Sequence, residues 1–359
     1  MEDIRDIIRG VLSSLFGFGG RLIARAALMI IAGRWFGVSE LGVLGQVAAI
    51  SEIAAAIGVL GLKRSLLDML SYRAEKDLPI RQRVVESLFV SGVFGFVISG
   101  MLYFLWPLMI PQIGGLRNIL LFAIPAIVFT EVGLSAIKFK RIIKWDVFSR
   151  GFTEPWGFLI FTILMFKLGW VHNGLVMAYM ASLFISAFTV LVGLVKTYGV
   201  TSLLMAQPKI SSFIAIPKQS IPTGLTDLGV MMLRRVDILV LGLFVPAAGT
   251  GIYYMVQQLA TIPQKVNSLF EPMVSPVLAR LHNQSNPERI RANLVNICRW
   301  VFIFQLAITF PMVVYGDQLL ALFGAAFAYG FLCLSLILIA ELVDGSFITT
   351  ETALLYAFP

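Results

Sequence analysis

The sequence is short of charge, cysteine and histidine. Only 13% of its 359 residues are Asp, Glu, Lys or Arg, and it has two cysteines and two histidines. So little charge, with a mean hydropathy of +0.88 and 58% hydrophobic residues, excludes an ordinary soluble domain. Cys298 and Cys333 fall inside apolar runs, which gives neither a disulfide framework nor a metal-ligand spacing. His172 and His282 are isolated and fall in predicted loops. There is no P-loop and no H-E-x-x-H, and "GFGG" at Gly17 lacks the spacing of a dinucleotide fingerprint, so no metal or cofactor is expected. The opening "MEDIRDIIRGVL" lacks the pattern of a cleavable signal. Its Ile4, Ile7, Ile8, Val11 and Leu12 follow helical spacing, as in a segment lying on the inner leaflet.

Long apolar runs are what the sequence does have. A helical span needs about 20 such residues. About ten candidates are present: 13–36, 41–62, 84–110, 118–137, 147–167, 173–195, 222–245, 251–274, 294–315 and 327–350. They are continuous and not alternating, which excludes a β-barrel. The expected class is therefore all-α and polytopic.

The formal charge of +8 suggests nucleic acid until its placement is considered. Lys63, Arg64, Arg73, Lys76, Arg81 and Arg83 share one inter-span stretch. Lys138, Lys140, Arg141 and Lys144 share the next alternate one, followed by Lys196, Lys209 and Lys218, then Arg280, Arg289 and Arg291. The opposite loops hold only Arg34, Arg117 and Lys167. This is the positive-inside pattern and puts the N-terminus in the cytoplasm. The basic balance is a topology signal, and no nucleic-acid partner is expected. Trp35, Trp106 and Trp170 mark the opposite helix ends, where amphipathic rings favour the interface.

The chain also repeats itself. A shift of 209 residues places Arg25 on Arg234, Gly33 on Gly242, Gly42 on Gly251 and Val47 on Val256. A shift of 210 places Glu131 on Glu341. An even number of spans separates the copies, so the halves run parallel about an axis along the membrane normal, with a cleft between them. The expected organisation is a six-helix bundle over 1–196, a cytoplasmic linker over 197–217, and a second bundle over 218–359. That second bundle contains four helices and lacks counterparts of spans five and six, as a truncated bundle would. The whole reads as two pseudo-symmetric bundles around a central cavity.

Charges inside the spans are the candidate site. Arg21, Arg25, Arg234, Arg235 and Lys265 are the cations expected to face a cavity. Glu52, Glu131, Glu154, Asp227, Asp237, Glu341 and Asp344 are the acids, as counter-ions or carriers of a coupling proton or sodium ion. Each charge at a helix centre costs roughly 2.5–3.5 kcal/mol, so these groups must face protein or water. Two readings stay open. In one they are ion pairs that hold helices together: Arg150 with Glu154, Arg234 with Asp227 or Asp237. In the other, Arg25 and Arg234 line a cleft between the repeats and bind an anion; arginine's planar fork suits a phosphate. Prolines at 125, 155, 222, 263 and 311 fall in or at the start of spans and suit bending helices.

The stretch "RRVDILVLGLFVPAAGTGIYYMVQQLATIPQKVNSLFEPMVSPVLARL" (Arg234–Leu281) resembles the seventh and eighth helices of polysaccharide-biosynthesis flippases. These belong to the multidrug/oligosaccharidyl-lipid/polysaccharide exporter superfamily. "LIARAALMIIAGRWFGVSELGVLGQ" resembles that family's start, and "YGDQLLALFGAAF" its outer segment before the tenth helix. The resemblance implies two six-helix bundles forming a V and an alternating-access flippase for undecaprenyl-diphosphate-linked oligosaccharide. It also implies a bacterial cytoplasmic-membrane location, with membrane lipids, the lipid-linked glycan and polysaccharide-assembly proteins as partners. Arg25 and Arg234, with Arg21 and Lys265, would hold the diphosphate. Family members usually have twelve to fourteen helices, more than this chain supplies. The alternatives are a drug/cation antiporter of the same superfamily, which wants an acidic cavity, and a membrane polymerase or ligase. The short outer loops disfavour an enzyme.

Overall fold

The structure is a computed structural model, and it describes residues 2–109, 117–204, 208–264 and 287–357. Every regular element among them is helical. The order is α1 (Glu2–Trp35), α2 (Gly37–Val59), α3 (Leu62–Glu75), α4 (Ile80–Met109) and α5 (Arg117–Phe139). Then come α6 (Lys144–Val147), a π turn (Phe148–Thr153), α7 (Glu154–Lys167), α8 (Gly174–Tyr198) and α9 (Val200–Leu204). The chain continues with α10 (Ser212–Phe244), α11 over 247–264, α12 (Pro287–Val314), α13 (Gly316–Ala321), a 3-10 turn (Ala325–Gly330) and α14 (Phe331–Ala357).

Five helical stretches among the described residues are long and apolar enough to cross a membrane: Gly37–Glu75, Ile80–Leu105, Leu121–Phe139, Gly174–Tyr198 and Ala325–Gly345. Among the described residues, other expected spans are helical without meeting that length and charge test. α10 is the clearest case, with Asp227, Arg234, Arg235 and Asp237 on one helix. Helices α5, α10 and α12 continue through Pro125, Pro222 and Pro311. Large apolar side chains cover the outside as well as filling the core. Phe104, Phe188 and Phe244 are 79%, 65% and 82% exposed, whereas Ser51, Ser87, Ser182 and Glu86 are buried. Apolar rims around a partly polar interior are what a bilayer solvent selects. The chain is a multi-pass helical membrane protein.

Packing divides the chain into two compact units, Met1–Thr250 and Gly251–Pro359. The expected boundary at 197–217 is not where they divide. Helix α10 begins inside that stretch and packs along α2, α3 and α4 of the first unit. The reason is a close backbone approach. A Cβ on Gly61 would lie 2.3 Å from the Gly224 nitrogen and 2.5 Å from the Ser220 carbonyl oxygen. Only glycine lets two helices come so near, as is common where membrane helices meet. Gly61 also follows Leu60 in the left-handed region (φ 75° and 55°), so α2 ends there and α3 departs in a new direction.

The core of the first unit lies among α2, α3, α4, α5 and α8, around Leu62, Leu66, Leu70, Val128 and Ile137. Hydrogen bonds tie it across elements. Ser135 Oγ donates to the Lys63 carbonyl at 2.7 Å, and Tyr198 donates to the Ala136 carbonyl at 2.6 Å. At the other end Trp35 stacks on Phe166, with ring centroids 4.6 Å apart. There the Glu40 carboxylate accepts from the Asn173 backbone N–H at 3.0 Å and meets His172 Nδ1 at 3.0 Å.

The second unit is smaller. Helix α12 packs along α14, and α13 packs on the 3-10 turn. Met255, Val256, Phe327, Leu334 and Leu338 are buried within it.

Candidate functional site: a charged cavity in the first unit

A cavity of about 340 Å³ opens within the first unit. Helix α2 contributes Glu52, Ala55, Ala56 and Val59, and α3 contributes Lys63 and Arg64. Ile127, Thr130 and Glu131 come from α5, Arg150 from the π turn and Glu154 from α7. Tyr179, Leu183 and Ser186 come from α8, and Asp227, Val230, Met231 and Arg234 from α10. Short side chains on α2 open the space. The charges stand on helix faces that would otherwise have to meet lipid, which is why the sequence puts them inward.

Glu131 is the hub. Its Oε1 accepts from Arg150 Nη2 at 2.8 Å, and its Oε2 lies 3.3 Å from Lys63 Nζ. Arg150 also reaches Asp146 Oδ1 at 3.3 Å, and Asp146 Oδ2 meets Lys138 Nζ at 3.2 Å. One chain of charges thus links α3, α5, α6 and the π turn. Across the cavity, Arg64 Nε lies 3.2 Å from Asp227 Oδ1. Glu52 takes a two-pronged bond from Arg235, with Nε at 2.7 Å and Nη2 at 3.3 Å. Such paired bonds fix angle as well as distance.

Of the residues expected at the site, Glu52, Glu131, Glu154, Asp227 and Arg234 line this cavity. Arg21, Arg25, Arg235 and Asp237 do not. Arg21 is exposed on α1, within electrostatic reach of Glu154, Arg150 and Asp146, and Arg25 is half-buried on the same helix. Arg235 stands behind the wall on Glu52, and Asp237 Oδ1 accepts from the Ile238 backbone N–H at 2.8 Å. Glu341 and Asp344 belong to the second unit, where Glu341 accepts a hydrogen bond from Gln264 and Asp344 is exposed. Lys265 lies outside the described residues.

The ion pairs expected from sequence do not form as paired there. Arg150 bonds Glu131 and Asp146 in place of Glu154, because the π turn between them breaks the i, i+4 register. Asp227 bonds Arg64 in place of Arg234. Arg234 faces the cavity and, among the described residues, has no ion pair or hydrogen bond.

The lining is balanced and not simply cationic. Lys63, Arg64, Arg150 and Arg234 face Glu52, Glu131, Glu154 and Asp227. Behind the wall Arg235 pairs with Glu52 and Asp146 with Arg150, one charge of each sign. Sequence reasoning missed Lys63, Arg64 and Arg150 as lining residues. The first two read as loop charges, and only the Gly58-x-x-Gly61 break before them hinted that α2 stops early.

No model of a known protein family matches the sequence, and a search of curated proteins finds no match. Solved structures do match. An inward-facing multidrug-resistance MATE family transporter of the MOP superfamily superposes with a TM-score of 0.70 at 14% identity, covering 96% of this chain and 86% of that one. The lipid II flippase MurJ, in an inward closed conformation, gives 0.69 at 14% identity, over 97% and 79%. A MOP superfamily transporter from Pyrococcus furiosus, described as having a binding pocket of reverse polarity, gives 0.51 at 15% identity, over 98% and 84%. The chain therefore has the fold of the MOP superfamily transporters.

Proposed function

We propose that the protein is an alternating-access flippase that carries undecaprenyl-diphosphate-linked oligosaccharide across the bacterial cytoplasmic membrane. One observation carries the reading. Arg234 faces a cavity whose other cations each meet a carboxylate, and it meets none. Arg234 is exposed to the cavity, so its guanidinium is open to an incoming anion, and a phosphate oxygen pair fits its fork. Arg64 and Lys63 stand on the same wall and supply further donors once a phosphate competes for them. The sugar would cross in the wet cavity while the lipid tail stays in the bilayer. The fold shared with a lipid II flippase agrees with this reading. By the loop-charge pattern, the N-terminus lies on the cytoplasmic side.

A second reading has its own observation. Glu154 lines the cavity without a direct ion pair among the described residues, and a carboxylate there suits a cationic cargo, as in a drug/cation antiporter.

Reconstituted vesicles separate the two. Flipping of a lipid-diphosphate oligosaccharide is expected to fall at least tenfold in Arg234→Ala, the scale of a lost charge-assisted contact, with thermal stability unchanged. Unchanged flipping in Arg234→Ala refutes the flippase reading. Cation export that depends on Glu154 and ignores Arg234 supports the antiporter.

A further inference from the structure

A second cavity of about 340 Å³ lies in the first unit, where the start of α4, the end of α5 and the end of α8 meet. Leu78, Pro79, Ile80, Arg81, Lys140 and Tyr198 form most of its wall. Its charge differs in kind from that of the first cavity. Arg81 and Lys140 line it and, among the described residues, no carboxylate does. The acid next in sequence, Asp77, is exposed in a left-handed turn and does not line it.

The walls are fixed in place. Arg73 Nη1 donates to the Pro79 carbonyl at 3.1 Å, and the Leu78 N–H donates to the Arg73 carbonyl at 2.9 Å, which closes the loop before α4. The Tyr198 hydroxyl holds the end of α8 to α5 at 2.6 Å from the Ala136 carbonyl. The Arg141 N–H donates to the Lys138 carbonyl at 2.8 Å and turns the chain just after Lys140. Leu78 on its wall is 43% exposed and gives the pocket an apolar edge. A small pocket lined by two cations and, among the described residues, by no acid fits the side where the basic loops of a multi-pass protein meet the headgroup layer. Its volume falls in the range of small-molecule sites, roughly 300–1,000 Å³.

We infer that this pocket binds the phosphodiester of an anionic phospholipid headgroup, with Arg81 and Lys140 as donors and Leu78 against the glycerol and acyl chain. Basic pockets between membrane helices recognise such headgroups because each nearby Lys or Arg adds attraction that zwitterionic lipid does not return. The inference is independent of what the first cavity carries.

The test uses the full chain purified in neutral detergent, with native mass spectrometry after titration with phosphatidylglycerol, phosphatidylcholine or inorganic phosphate. The wild type is expected to retain phosphatidylglycerol over phosphatidylcholine. Arg81→Gln with Lys140→Gln is expected to bind phosphatidylglycerol about 30-fold more weakly. Arg141→Gln with Lys144→Gln, on the adjoining loop, should bind as the wild type does. Equal loss in that control, or no loss in the first variant, overturns the site. Competition by inorganic phosphate at the same concentration also overturns it, in favour of a soluble phosphate. Should the double variant not fold, photoactivatable phosphatidylglycerol on the wild type decides: labelling at residues 78–81 or 197–198 supports the site, and labelling elsewhere refutes it.

Discussion

Adding one methyl group at Gly61 should be among the most damaging single changes in the first unit. The new Cβ would lie 2.3 Å from the Gly224 nitrogen, 2.5 Å from the Ser220 carbonyl oxygen and 2.7 Å from the Gly224 Cα. All three are backbone atoms of α10, so no side chain can swing away and a helix must move. The φ of 75° at Gly61 adds a second cost. An L-residue held there loses roughly 1–2 kcal/mol, and overpacking at a tight contact adds about 1–3 kcal/mol. Together Gly61→Ala should lose about 2–5 kcal/mol, which lowers the Tm of a unit this size by roughly 10 °C. Gly224→Ala is the graded comparison. Its Cβ would meet the Gly61 nitrogen and the Leu60 carbonyl carbon at 3.0 Å, and it needs no left-handed backbone, so about half the loss is expected. Gly92→Ala is the opposite control, because nothing lies within 4 Å of its Cβ. Better helix propensity there should leave the Tm unchanged or slightly raised. The measurement is thermal unfolding in detergent, by fluorescence and by loss of the monodisperse chromatographic peak. A Tm for Gly61→Ala equal to that of Gly92→Ala would refute the claim that α3 and α10 touch through bare backbone.

Other outcomes can be checked with the same assay. Arg235→Gln and Glu52→Gln should each lose stability, while the exchanged pair Arg235→Glu with Glu52→Arg recovers part of it; a double-mutant cycle should return a coupling of about 0.5–3 kcal/mol. Arg235→Ala should therefore lower the Tm where Arg234→Ala does not, although the two are neighbours. Glu131→Gln leaves Arg150 and Lys63 facing each other across an uncharged amide, and should destabilise by about 1–3 kcal/mol, the scale of a lost charge-assisted hydrogen bond at a half-buried pair. Tyr198→Phe removes one hydrogen bond to the Ala136 carbonyl and should lose about 1 kcal/mol, with no change in secondary structure by circular dichroism.

The helices themselves were legible because a bilayer leaves a continuous apolar run little choice of conformation. Arg234 was legible for a related reason: a charge so deep in a run has to face inward. Partners were less legible. Glu52 and Arg235 are 183 residues apart, and Arg64 and Asp227 nearly as far, so their pairing depends on how α2, α3 and α10 cross. Local spacing misled at Arg150, where helical periodicity offers Glu154 and the π turn turns the two apart. Lys63 and Arg64 read as loop residues because hydropathy ends α2 only a few residues late, at 62 instead of 59. A glycine with φ of 75° carries no hydropathy signal. It is also why the unit boundary moved, since the same glycine admits α10 against α3.

The π turn at Phe148–Thr153 has a consequence of its own. It stores one more peptide than an α-helix needs over the same length. Rewinding it to ordinary pitch would screw everything beyond it by about 100° and advance it about 1.5 Å. Glu154 would sweep through a quarter turn along the cavity wall while Asp146, on the near side, stayed still. The segment is a spindle with a spare thread, and the acid such a turn would move is Glu154.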